Sequence, residues 1–197
     1  ATMAAAACAV RAARGGGLLG LLGVHFEGPY LNAARKGAHD GAQIRPLDDS
    51  ALTLFTEPGL GAVAVTLAPE MVPPGTIRHL NAAGVRVCAG HCAPNDGQIS
   101  AALDEGLAGF THLFNAMPPL INREPGVVGA ALAHGDSWCG IIVDGHHVDP
   151  ITLRVALAAK KPGYMMLVTD AMAAIGSGDQ SFQLGGQTVT INAGRCT

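Results

Sequence analysis

Long apolar runs, a strong charge of either sign and a disulfide pattern are missing from this sequence and aromatic rings are scarce, and each lack removes a class of protein. The longest apolar stretch, around Leu18 to Val24, falls far short of the roughly 20 residues a membrane-spanning helix needs. A soluble chain with no membrane partner is therefore expected. Aromatics make up 4% of residues and Trp138 is the single tryptophan, too few for base-stacking surfaces. Lys and Arg number 12 against 15 Asp and Glu, a formal charge of −3, which leaves no basic patch for a nucleic acid. The five cysteines, Cys8, Cys88, Cys92, Cys139 and Cys196, are odd in number and irregularly spaced in a chain of 197 residues, which is too large to need disulfide staples. Reduced thiols in a cytoplasmic protein are expected. The dinucleotide GxGxxG pattern and the P-loop are absent, and the glycine-rich segment Gly15 to Gly20 precedes a strand instead of following one.

What is present is a hydrophobic chain, 49% apolar and 14% charged with 27 Gly, which excludes disorder. Its length predicts one domain over residues 1–197. The chain opens ATMAAAACAV, without a charged segment ahead of an apolar core and cleavage site. It closes on INAGRCT, within what reads as a strand and turn. Both ends are expected to be cuts in a longer protein.

Between them, helix-like and strand-like segments alternate. Thr2 to Arg14 is Ala-rich and stopped by glycines. Strand-length runs follow at Leu21–Phe26, Ala62–Leu67, Val85–Ala89, Leu107–Thr111, Cys139–Val143 and Met165–Thr169. They are nearly continuous in apolar or small residues, as parallel strands buried on both faces require. Helical segments at Thr76–Ala83, Gln98–Glu105 and Thr152–Lys160 separate several of them. The pattern predicts an α/β fold, an open doubly wound sheet or a barrel. Polar residues decide for the barrel: Glu27, His91, His112, Asp144 with His147, and Asp170 each follow a predicted strand. In a (β/α)8 barrel those carboxyl ends converge on one mouth, where such enzymes carry their chemistry.

Glu27, His91 and His112 form a ligand set of the kind used for catalytic zinc, three protein groups leaving a position for water. A water so bound has a pKa of about 7, and Asp170 is then placed to act as general base and acid in turn. Each histidine taken singly also reads as a hydrogen-bonded structural residue. Arg123 in INREPG can make a bidentate contact to phosphate or a surface ion pair with Glu124. Asn115 and the Ala116 amide, just past His112, can donate to the same anion. His39 and His147 add donors for a substrate, with one of the His146–His147 pair facing solvent. Cys88 and Cys92 flank His91 in CAGHC, but no second ligand pair stands at zinc-knuckle spacing. His25, His79 and His134 have no partner pattern and read as structural or exposed.

In order, GVHFEGPYLNAARKGAHD, AGHC, FTHLFNAMPPLINREPGVVGAAL, GIIVDGHHVD and LVTDAM resemble the N-acetylglucosamine-6-phosphate deacetylase family of the amidohydrolase superfamily, over nearly all of Gly23 to Thr197. THLFNAM followed by REPG is the most specific part. The resemblance implies a hydrolase that removes acetate from N-acetyl-D-glucosamine 6-phosphate in amino-sugar catabolism, cytoplasmic and commonly a homodimer. It implies one divalent metal ion, zinc first and Fe, Mn, Co or Ni as substitutes, on Glu27, His91 and His112, with Asp170 as catalytic acid/base. It implies substrate contacts at Ala38, His39, Asn115, Ala116, Arg123 and Asp144, Gly145, His146 and His147, with Arg123 serving a partner subunit's phosphate site.

The same comparison implies a partial TIM-like barrel, about six of eight βα units, lacking the first two strands, their His-containing motif and a small β-sandwich. Ile121 and Asn122 stand where the family has small residues. Two alternatives remain. One is another amidohydrolase, although such enzymes often carry a bridging lysine where this chain has LAPE. The other is a truncated, catalytically incompetent chain that still binds metal or sugar phosphate.

Overall fold

The computed structural model describes residues 2–172, 174–184, 186–192 and 195–196. Helix α1 (Met3–Gly15) leads into five βα repeats and a sixth strand: β1 (Gly23–Glu27), α2 (Asp49–Phe55), β2 (Ala62–Leu67), α3 (Thr76–Ala82), β3 (Arg86–Ala89), α4 (Asp96–Asp104), β4 (Gly109–Phe110), α5 (Gly126–Ala133), β5 (Trp138–Ile141), α6 (Pro150–Ala159) and β6 (Met165–Leu167). Every strand pairs in parallel with the next, in the order β1-β2-β3-β4-β5-β6. The sheet curls into a half-barrel, and one concave space is lined both by His25 and Glu27 of β1 and by Met166 and Leu167 of β6. All six expected strands are present within a few residues of their expected bounds.

The core lies between the convex face of the sheet and the helices. Val65, Leu67, Val87, Phe110 and Leu113 are fully buried, and Phe26 packs on Phe55 with ring centroids 5.3 Å apart. Two helices escaped the sequence reading. The segment that forms α2 is short, and that of α5, GVVGAALA, is apolar all round and carries two glycines, so it shows no helical face.

Polar groups from distant segments finish the helix ends. Gly75 offers α3 no side-chain cap. The Glu105 carboxylate instead accepts from the backbone N–H groups of Gly75 at 2.6 Å and Ile77 at 3.1 Å, which places an anion at the positive end of the helix. At the C-terminal end of α5, the buried Lys160 ammonium donates to the carbonyls of Ala131 and His134, both at 2.6 Å.

The sheet ends without closing. Leu167 on β6 is 81% exposed, Ile151 and Val155 project one turn apart from α6, and Leu19 and Leu22 lie exposed ahead of β1. Beyond β6 a separate antiparallel sheet of β7 (Ser181–Leu184), β8 (Gln187–Asn192) and β9 (Arg195–Cys196) follows. Of this sheet the sequence suggested only a strand near INAGRCT, whose turn at 193–194 lies outside the described residues. No helix among the described residues is long and apolar enough to cross a membrane.

Candidate active site and metal centre

Strand ends dispersed over the chain meet at one point: Glu27 at the end of β1, His91 just past β3 and His112 just past β4 bring three ligand atoms together. Glu27 Oε1 lies 3.0 Å from His91 Nε2 and 2.8 Å from His112 Nε2, and the two Nε2 atoms are 3.0 Å apart. Three corners of a tetrahedron around a zinc ion with ligand bonds of 2.0–2.1 Å would be about 3.3 Å apart. The observed triangle needs only a small expansion to fit.

Backbone geometry makes this convergence. His91, His112 and Asp170 all have positive φ, 48°, 34° and 49°, a conformation that non-glycine residues adopt at a cost and that clusters at functional sites. Each strand thus turns sharply at the residue that carries the chemistry. Gly90 lets β3 end there, since a Cβ on it would sit 2.6 Å from Thr66 Cγ2. Gly37, at φ +55°, brings the loop after β1 against the His91 ring, where a Cβ would meet Cε1 at 3.1 Å.

Hydrogen bonding sets the tautomer of His91. Its Nδ1 donates to the Arg35 carbonyl at 2.9 Å, which leaves Nε2 as the ligand atom facing Glu27 Oε1. Convergent lone pairs from buried groups are what a cation would satisfy. Burial pushes the Glu27 carboxyl up, but the imidazoles of His112, first, and His91 beside it overcome this and hold it well below the usual carboxylate range. Burial lowers His112, and its bond to Glu27 more than restores it, raising it above the ordinary imidazole value. His112 Nδ1 is buried and without a hydrogen-bond partner among the described residues.

Around this group lies a cavity of about 1580 Å³. Asp170, Ala38, His39, Asn115, Ala116, Asp144, His146 and His147 all line it. His39 stands edge-on to His91, ring centroids 4.6 Å apart, and burial lowers its pKa. Asp144 Oδ1 accepts from the backbone N–H groups of His146 and His147, while Oδ2 receives His147 Nδ1 at 2.7 Å. His147 Nε2 has no hydrogen-bond partner among the described residues. Asn115 spends its amide on the carbonyls of His112 and Leu113. Gly145, at φ +77°, forms the turn behind this pair and is not among the lining residues. Arg123 is exposed and also lies outside the cavity lining.

Beneath the ligands, His25 Nε2 meets Thr66 Oγ1 at 2.7 Å and Thr66 meets Thr111 Oγ1 at 2.6 Å. This polar line sits on the inward faces of β1, β2 and the end of β4. It gives His25 a structural partner that spacing alone did not reveal. Cys88 and Cys92 are buried away from any second ligand pair. Glu27, His91 and His112 are the one metal-capable group among the described residues.

A curled parallel half-barrel with a Glu/His/His group at its strand ends has the architecture of a TIM-type barrel whose mouth carries a metal-capable ligand set. No family model matches the chain, but individual proteins do. It is 44% identical over 181 residues to an N-acetylgalactosamine-6-phosphate deacetylase of Shewanella sp. (strain ANA-3), covering 92% of this chain and 46% of that protein. It is 39% identical over 185 residues to the N-acetylglucosamine-6-phosphate deacetylase of Bacillus subtilis (strain 168), covering 92% and 47%. The N-acetylglucosamine-6-phosphate deacetylase structure from Pasteurella multocida superposes with a TM-score of 0.91 at 35% identity, over 98% of this chain and 51% of that one. A mutant of the Mycobacterium smegmatis enzyme in complex with N-acetyl-D-glucosamine-6-phosphate gives 0.85 at 34%, over 98% and 51%. Over nearly its whole length the chain is thus similar to N-acetylglucosamine-6-phosphate and N-acetylgalactosamine-6-phosphate deacetylases. It spans about half the length of the curated relatives it matches.

Proposed function

We propose that this chain carries the catalytic strand ends of a cytoplasmic, metal-dependent deacetylase acting on N-acetyl-D-glucosamine 6-phosphate, with water yielding D-glucosamine 6-phosphate and acetate. The observation that carries the reading is the Glu27–His91–His112 triangle facing Asp170 across one cavity. The donor set, one carboxylate and two imidazoles, suits zinc, with Fe, Mn, Co or Ni as substitutes. A bound divalent ion supplies a more acidic water and a polarised amide carbonyl.

The chain's own groups do the rest. Asp170 accepts the proton of the attacking water and delivers it to the sugar nitrogen as the C–N bond breaks, which releases the amine and acetate. His39 and His147 donate to the carbonyl oxygen as negative charge develops on it. Ala38, Asn115, Ala116 and the Asp144 to His147 turn, Gly145 included, hold the sugar. Arg123, exposed and outside the cavity of its own chain, binds the 6-phosphate in a partner subunit's site of a homodimer. Residues 1–197 act as one catalytic unit in this reading.

A second substrate reading has its own support, since the relative at 44% identity is named for the galactosamine epimer. Acetate release from both sugar phosphates, measured beside Asp170→Asn, tests the proposal. Asp170-dependent release from the glucosamine epimer is expected. Preference for the galactosamine epimer would move the assignment to that sugar. Bound metal without turnover would favour a chain that binds but does not catalyse.

A further inference from the structure

We propose that Glu70 is a positioning residue for the metal-binding group, clamping the loop after β1 to the loop after β3 so that His91 is held from both sides. The inference rests on the reading of Glu27, His91 and His112 as a metal site.

Glu70 follows β2 in the sequence LAPE, in the short 3-10 turn Pro69–Met71. Its place at a strand end is that of a site residue, yet it does not line the cavity. One carboxylate oxygen, Oε1, accepts from the Asn32 side-chain amide at 2.9 Å and from the Ala93 backbone N–H at 2.6 Å. The other, Oε2, is buried without a partner among the described residues. Burying a carboxylate is costly, and this one concentrates its hydrogen bonding on the two segments that flank His91.

Each bond reaches His91 by a short path. Ala93 is two residues beyond it. Asn32 donates its backbone N–H to the His91 carbonyl at 3.0 Å, and its Oδ1 accepts from Ala34 N at 2.9 Å to start the turn Ala33–Arg35. That turn presents the Arg35 carbonyl that fixes His91 Nδ1. Groups that orient a ligating histidine typically change metal affinity 10- to 100-fold when removed. Because Oε1 receives both donors, a glutamine carbonyl can replace it; the clamp depends on geometry and not on charge.

The test is competition for Zn²⁺ between the full chain and a chromophoric chelator, with Glu70→Ala, Glu70→Gln and Asn32→Ala. Long-range ¹⁵N NMR reports the His91 tautomer, and thermal unfolding of the metal-stripped chains reports folding. Glu70→Ala is expected to weaken Zn²⁺ binding about tenfold or more and to blur the Nδ1–H signature of His91, with Glu70→Gln close to wild type. Wild-type affinity in a folded Glu70→Ala chain would overturn the proposal, as would equal losses in Glu70→Gln and Glu70→Ala. Should Glu70→Ala fail to fold, Asn32→Ala decides: a loss of affinity supports the clamp and no loss overturns it. A wild-type chain that binds no Zn²⁺ would instead refute the metal site itself.

Discussion

Glu27 Oε1 lies 2.8 Å from His112 Nε2 although 85 positions separate the two residues. The contact ties the ends of β1 and β4 together and couples two ionisations. A carboxyl held below its unfolded value, 4.5 for Glu27, adds stability above that pH and loses it as the pH falls through the lower folded value. An imidazole raised above 6.5 adds stability below that pH and loses it as the pH rises through the higher folded value. The pair therefore contributes fully between about 4.5 and 6.5 in the metal-free chain. Urea unfolding of EDTA-treated protein should show its largest difference from Glu27→Gln in that window. A difference independent of pH would contradict the coupling.

Asp170→Asn should reduce kcat for acetate release by about 10²- to 10⁴-fold, the range for a general acid/base. Metal content should stay at the wild-type level, because Asp170 is not among the three ligands. Full activity in this variant would remove Asp170 from the proposed mechanism.

Burial pushes the Cys88 thiol up to about 12 and Cys139 up to about 11, with Cys92 also raised well above its ordinary value. Cys8 and Cys196 are exposed. Thiolates are the reactive species, so a disulfide reagent at neutral pH should titrate two thiols in the native chain and five after denaturation. Rapid modification of Cys88 or Cys92 without unfolding would show that the core around β3 is open.

Lys160→Met should destabilise the chain by about 2 kcal/mol, since it leaves the Ala131 and His134 carbonyls at the end of α5 without their donor. The urea midpoint measures this. An unchanged midpoint would mean that water satisfies those carbonyls.

Much of this was legible in the residues. Buried parallel strands announce themselves as continuous apolar runs, which is why the run Ala62–Leu67 coincides with β2 to the residue. The barrel rule then sends every strand-end polar residue to one mouth, which gathered Glu27, His91, His112 and Asp170 without any spacing motif. Glu70, His25 and Glu105 were not legible in this way. Their partners, Ala93, Thr66 and the backbone of α3, are fixed by strand register and by loops crossing in space, which leave no periodic trace. Arg123 marks a third case: its sequence context suggested phosphate, while the fold sets it outside its own cavity.

The central claim is that Glu27, His91 and His112 hold one divalent ion at the strand ends. Zinc content after equilibrium dialysis tests it directly, comparing the wild-type chain with His112→Ala, which removes one corner of the triangle and leaves the sheet registers intact. About one Zn²⁺ per wild-type chain is expected, with loss of nearly all of it in the variant. Equal zinc in both chains, or none in either, would contradict it.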